Sequence, residues 1–127
     1  MTFRIETKAQ VVWLSDSGLL RATSKPGTDL TLEDAQDVIR QLAALSNGTR
    51  HPILADLTGT KTMSRDARAY FAGPETAKVQ SAAALLVLSP MARAIGNFFM
   101  GLNKPIIPTR IFTSEPLALE WLQPYLP

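Results

Sequence analysis

At 127 residues the chain has the length of one domain, 1–127, able to bury about two-thirds of its unfolded surface. With 46% hydrophobic and 19% charged residues it is globular, not disordered. Thirteen Lys and Arg stand against eleven Asp and Glu, a net +2 spread without any basic run interleaved with aromatics, which argues against a nucleic-acid footprint; the absence of cysteine excludes disulfides, thiolate catalysis and cysteine metal sites.

The N-terminus carries charges where a signal peptide would place its apolar core. The longest uncharged run, between Lys78 and Arg93, is shorter than the ~20 residues a membrane span needs. The expectation is a cytoplasmic protein without a transmembrane segment. Gln10–Leu14, the turn set Ser15–Gly18 and Leu19–Thr23 predict a β-hairpin. Thr31 then caps a helix, with Asp34 three residues on in capping-box position. Apolar residues recur on one face at Leu32, Ala35, Val38 or Ile39, Leu42 and Leu45, and Asn47-Gly48 supplies a left-handed stop.

Pro52–Leu57 reads as a short apolar strand ending at Thr58-Gly59. Ser64 caps a second helix that Gly73-Pro74 ends or kinks. The continuous apolar run Ala82–Leu88 predicts a strand covered on both faces. Ser89-Pro90 starts a third helix, because proline at the first helical position gives up only an orphan N–H. Thr109–Thr113 is the last strand, placed near the sheet edge by Pro105 and Pro108. Ser114 opens a closing helix with Ala118, Trp121, Leu122 and Tyr125. The order predicts an α/β fold: an N-terminal hairpin leading into a mainly parallel sheet with four helices on its faces.

This order resembles the STAS or SpoIIAA-like fold, related in outline to the lipid-binding SEC14 domains. The residues that carry the resemblance are Asp56-Leu57-Thr58-Gly59, Ser64 opening the next helix, Thr31-Leu32-Glu33-Asp34-Ala35, and above all Gly96–Pro105. Together they look like a family of small bacterial STAS/SEC14-type proteins. The better-known STAS proteins are switched by phosphorylation within Asp-Ser-Ser-Gly. Here Ser64 falls at their aspartate and Arg65 at their phosphorylated serine, so the resemblance implies the fold without the switch.

No catalytic set is legible, and the expectation is a non-enzymatic protein without cofactor or metal. His51 stands alone before Pro52. Asp56 closes a central strand, where ligand sites of such sheets lie, yet its expected role is to hold the loop that follows. Lys61, Ser64, Arg65 and Arg68 surround a helix N-terminus and form a candidate anion or phosphorylation site, with plain capping the stronger reading.

The helix over 90–104 carries more large apolar groups than one face can bury. Met91, Ala94 or Ile95, Phe98 and Leu102 form the face expected on the sheet. Each residue turns the helix by about 100°, which leaves Ala92, Gly96, Phe99 and Asn103 as a neighbouring stripe. Either Phe99 and Met100 tuck under the closing helix near Trp121 and Tyr125, or they are anchors of a partner or apolar-ligand surface made of Gly96, Phe99, Met100, Asn103 and Lys104. The expected function is self-association as a homodimer or docking of a protein partner through this helix. The alternative is a small lipid or apolar-ligand binder in which the same helix is a gate or a peripheral membrane contact.

Overall fold

The computed structural model describes residues 3–127. Six strands form the main sheet: β1 (Arg4–Glu6), β2 (Gln10–Leu14), β3 (Leu20–Ser24), β5 (His51–Asp56), β7 (Gln80–Leu86) and β8 (Thr109–Phe112), side by side in that order. β1, β2 and β3 are an antiparallel meander, and β3, β5, β7 and β8 run parallel. Two further short strands, β4 (Thr28–Leu30) and β6 (Thr60–Met63), pair in parallel as a separate ribbon. Strands β1, β4 and β6, of three or four residues each, are absent from the sequence expectation. The prolines before β8 do mark a sheet edge.

The helices are α1 (Leu32–Ser46), α2 (Arg65–Ala72), the single turn α3 (Pro74–Ala77), α4 (Pro90–Leu102) and α5 (Glu115–Leu122). Their boundaries follow the punctuation. Thr31 Oγ1 accepts from the Asp34 N–H at 3.2 Å while Asp34 Oδ2 accepts from the Thr31 N–H at 3.1 Å, a complete capping box. Asn47 closes α1 in the left-handed region at φ 51°. Ser64, Ser89 and Ser114 each accept a backbone N–H as caps of α2, α4 and α5. Substituting Thr31→Ala is expected to cost about 1 kcal/mol, read as a lower midpoint in urea unfolding with unchanged slope.

Alternation along the strands divides the core in two. Val12, Leu20, Ala22, Ile53, Ala83 and Leu85 meet Ala35, Val38 and Leu42 of α1, Ala67 of α2 and Ala92 and Phe99 of α4 on one face. Leu54, Ala82, Ala84 and Leu86 meet Ala118 and Leu122 of α5 on the other. β7 is therefore covered on both sides, and its alanines leave room for helices above and below.

Candidate functional site

Helix α4 sits on the sheet by the opposite face from the one its large side chains suggest. Ala92, Gly96 and Phe99 are buried, whereas Met91, Phe98 and Leu102 are 56%, 54% and 61% exposed. Close packing explains the correction. A Cβ built on Gly96 would lie 3.3 Å from Val87 Cγ1 and 3.4 Å from Ile111 Cδ1, so only the small-residue stripe lets the helix down onto β7 and β8. Small residues do admit a close neighbour here, but the neighbour is the protein's own sheet.

The five residues expected to form a partner surface are thus split. Gly96 and Phe99 are in the core, Met100 is half-buried against it, and Asn103 is partly covered. Lys104, at φ 47°, is exposed just past the end of α4. Phe99 also does not tuck under α5, because Trp121 and Tyr125 belong to the core on the other side of the sheet. Met91, Phe98 and Leu102, which sequence reasoning assigned to the buried face, are the exposed ones; Ile106, in the segment that follows, is 64% exposed.

One flank of this outer face is a groove between α2 and α4, lined by Met63, Arg68, Ala94, Ile95 and Phe98. The Arg68 guanidinium lies 4.8 Å from the Phe98 ring centroid, within cation–π range, and its Nη1 donates to the Met63 carbonyl at 3.0 Å. The other flank carries Arg93 and Asn97, both exposed. Between Glu75 and Glu115 the sequence holds no carboxylate side chain, only Lys78, Arg93, Lys104 and Arg110 as charges. The outer face of α4 is therefore apolar, with Arg93 and Lys104 of its own segment and Arg68 across the groove as the basic groups at its margin.

Of the candidate anion cluster, Lys61, Ser64 and Arg65 are exposed, while Arg68 is partly buried and turned toward α4. Ser64 Oγ accepts from the Ala67 N–H at 3.1 Å, as a cap does. Asp56 holds the loop after β5 by accepting from the Thr58 N–H at 3.0 Å. His51 Nδ1 is 2.8 Å from the Gly18 carbonyl oxygen, a structural contact. Far from α4, a 2.7 Å hydrogen bond from Lys25, reinforced by its charge, lowers the Glu6 carboxyl pKa below the ordinary range.

Behind α4, between the sheet and the helices, lies a cavity of about 60 Å³ walled by Val38, Leu42, Ile53, Leu85, Phe99 and Ile107. Among the described residues no group of three or more His, Asp or Glu could hold a metal ion, and no helix is long and apolar enough to cross a membrane.

A protein of the DUF3478 family with a SpoIIAA-like fold, from Shewanella loihica PV-4, superposes with a TM-score of 0.52 at 19% identity, covering 96% of this chain and 92% of its own. A protein of unknown function from Arthrobacter sp. FB24 is 41% identical over 93% of this chain and 95% of its own, with a TM-score of 0.37. No curated protein matches the chain. The match to the domain of unknown function DUF7793 spans residues 12–126, nearly the whole chain, and with the first superposition it makes this protein a member of the DUF7793 family with a SpoIIAA-like α/β fold.

Proposed function

We propose that the protein is a non-enzymatic docking module that holds a partner protein through the outer face of α4. The observation that carries this is the row of Met91, Phe98 and Leu102 along α4, each more than half exposed. Burying one such side chain gains roughly 1.5–3 kcal/mol, and large apolar side chains exposed together on one helix face support an interaction reading. Aromatic and methionine anchors are what interface centres favour.

Charge argues for a partner other than a second copy. An antiparallel pairing of two α4 helices about their Phe98-Phe99 midpoints would set Arg93 of each beside Lys104 of the other, like charges that an interface avoids. A partner bearing carboxylates meets the same basic groups favourably.

The test is a photo-crosslinking residue, benzoylphenylalanine, in place of Phe98 in the native cells, with a control in place of Arg40 on the exposed face of α1. The expected result is an adduct with a different protein from position 98 alone. An adduct of twice the chain's own mass, or the same adducts from both positions, overturns the reading.

The cavity behind α4 supports a second reading, an apolar-ligand binder with Phe99 in the wall. Its volume of about 60 Å³ ranks this reading lower, since pockets for drug-sized ligands run to about 300–1,000 Å³. Native mass spectrometry of the purified chain is expected to show the bare mass; a co-purifying apolar compound would reverse the ranking.

A further inference from the structure

The α2–α4 groove contains a charged group whose hydrogen-bonding capacity the protein uses only in part. Arg68 offers five N–H donors in a planar fork. Its Nη1 is engaged by the Met63 carbonyl, whereas its Nε is buried without a hydrogen-bond partner. Among the described residues none of the ion pairs involves Arg68; besides the Met63 carbonyl, its guanidinium lies over the Phe98 ring. A buried donor left unpaired is costly, and the great majority in folded proteins find a partner. Here the unpaired donor sits in the wall of an apolar groove, stacked on the residue that anchors the proposed docking face.

We propose that Arg68 is the anion-recognition residue of that face, and that the partner is an apolar, amphipathic segment of another protein carrying an Asp or Glu. The proposal rests on the docking reading of α4 and adds the chemistry of the occupant. A carboxylate's two oxygens match the guanidinium fork, a shorter and stronger pairing than a neutral hydrogen bond. Because Nε is covered in the free chain, the pairing requires a rotamer change of Arg68 or of Phe98 stacked on it, a rearrangement that interface side chains commonly make. The absence of acids from Thr76 to Ser114 means that no carboxylate of that stretch competes for the guanidinium. Groove and row together suit a helix laid along α4, its apolar positions three and four apart.

The test selects binders from a displayed library of random peptides on the immobilised full chain, then measures their affinity for wild type, Arg68→Met, Arg68→Lys and Phe98→Glu, each checked for native folding by circular dichroism. The expected consensus has apolar residues at helical spacing and an acidic residue among them. Phe98→Glu is expected to abolish binding and Arg68→Met to weaken it about tenfold or more, with Arg68→Lys between. Changing the peptide's Glu to Gln should lose the same factor in wild type and little more in Arg68→Met, the coupling that a direct pair requires. Peptides sensitive to Phe98→Glu but indifferent to Arg68→Met would sink the carboxylate assignment and leave the docking face standing. Peptides indifferent to Phe98→Glu would sink the docking face itself. A dimer split by Phe98→Glu, or sedimentation with phosphatidylglycerol vesicles that Phe98→Glu abolishes, would overturn the proposal in favour of a second copy or a bilayer.

Discussion

Phe99→Ala is expected to cost about 3–5 kcal/mol, and Phe98→Ala, one residue away, less than about 1 kcal/mol. The two rings are chemically identical, and the difference lies in what surrounds them. Phe99 is 6% exposed and walls the cavity beneath α4; Phe98 is 54% exposed and touches Arg68 on one face. Truncating Phe99 loses the transfer free energy of the ring and enlarges an existing void, and residual cavity volume is what drives such costs upward. Truncating Phe98 loses a cation–π contact worth about 0.5–1 kcal/mol at an exposed site, partly offset by removing apolar surface from water. Against a total stability of about 5–15 kcal/mol for a domain of this kind, Phe99→Ala threatens folding and Phe98→Ala does not. Urea unfolding of both variants beside wild type decides the matter. Equal costs, or the reverse order, would mean that α4 lies on the sheet by its large-residue face and that the outer row does not exist.

Gly59→Ala carries the second large effect, about 3 kcal/mol of destabilisation. A Cβ at this position would lie 2.6 Å from the Ser24 carbonyl oxygen and 2.7 Å from that of Lys25. Both obstacles are backbone, so the turn between β5 and β6 would have to move away from the end of β3. That movement strains the 3.2 Å hydrogen bond from the Thr28 N–H to the Gly59 carbonyl and the buried 2.8 Å bond from Thr60 Oγ1 to Ser24 Oγ. The control is Gly101→Ala, where an added Cβ meets nothing within 4 Å and the site is exposed near the end of α4. There the change is expected to be neutral or to stabilise by up to about 1 kcal/mol through helix propensity. Thermal unfolding of the pair measures both signs. A wild-type melting temperature for Gly59→Ala would show that the turn does not approach β3 so closely.

The glycine of Asp56-Leu57-Thr58-Gly59 is thus explained by steric contact: its carbonyl and missing Cβ let the β4–β6 ribbon close over the end of the main sheet. The motif was visible in the sequence as a strand end, and Asp56 holding the following loop was legible as well, because an aspartate bonds the backbone two residues on. What the motif packs against was not legible, since Ser24 and Lys25 lie more than thirty residues away in the chain. The same holds for Arg68. As a residue in the first turns of a capped helix it read as part of an anion cluster with Lys61, Ser64 and Arg65, and only the packing of α2 beside α4 turns it toward Phe98.

Local signals carried the order of the elements apart from the short strands β1, β4 and β6, the caps of α1, α2, α4 and α5, the left-handed stop at Asn47, the break at Gly73-Pro74 and the doubly buried strand β7. Each is a property of a few neighbouring residues whose hydrogen bonds and steric limits act within one turn. With connections that short, the order implies a mainly parallel sheet and hence the fold class. The sequence by itself also showed that the helix after Pro90 has two apolar stripes. It put the wrong stripe inside, the one with Met91, Phe98 and Leu102, because periodicity reports angular separation on a helix and not fit to a distant surface. That choice depends on how near the helix axis can come to Val87 and Ile111, and the stripe of Ala92 and Gly96 allows the closer approach. Once the small stripe is buried, rigid helix geometry leaves Met91, Phe98 and Leu102 in water, and tertiary packing alone makes them a surface.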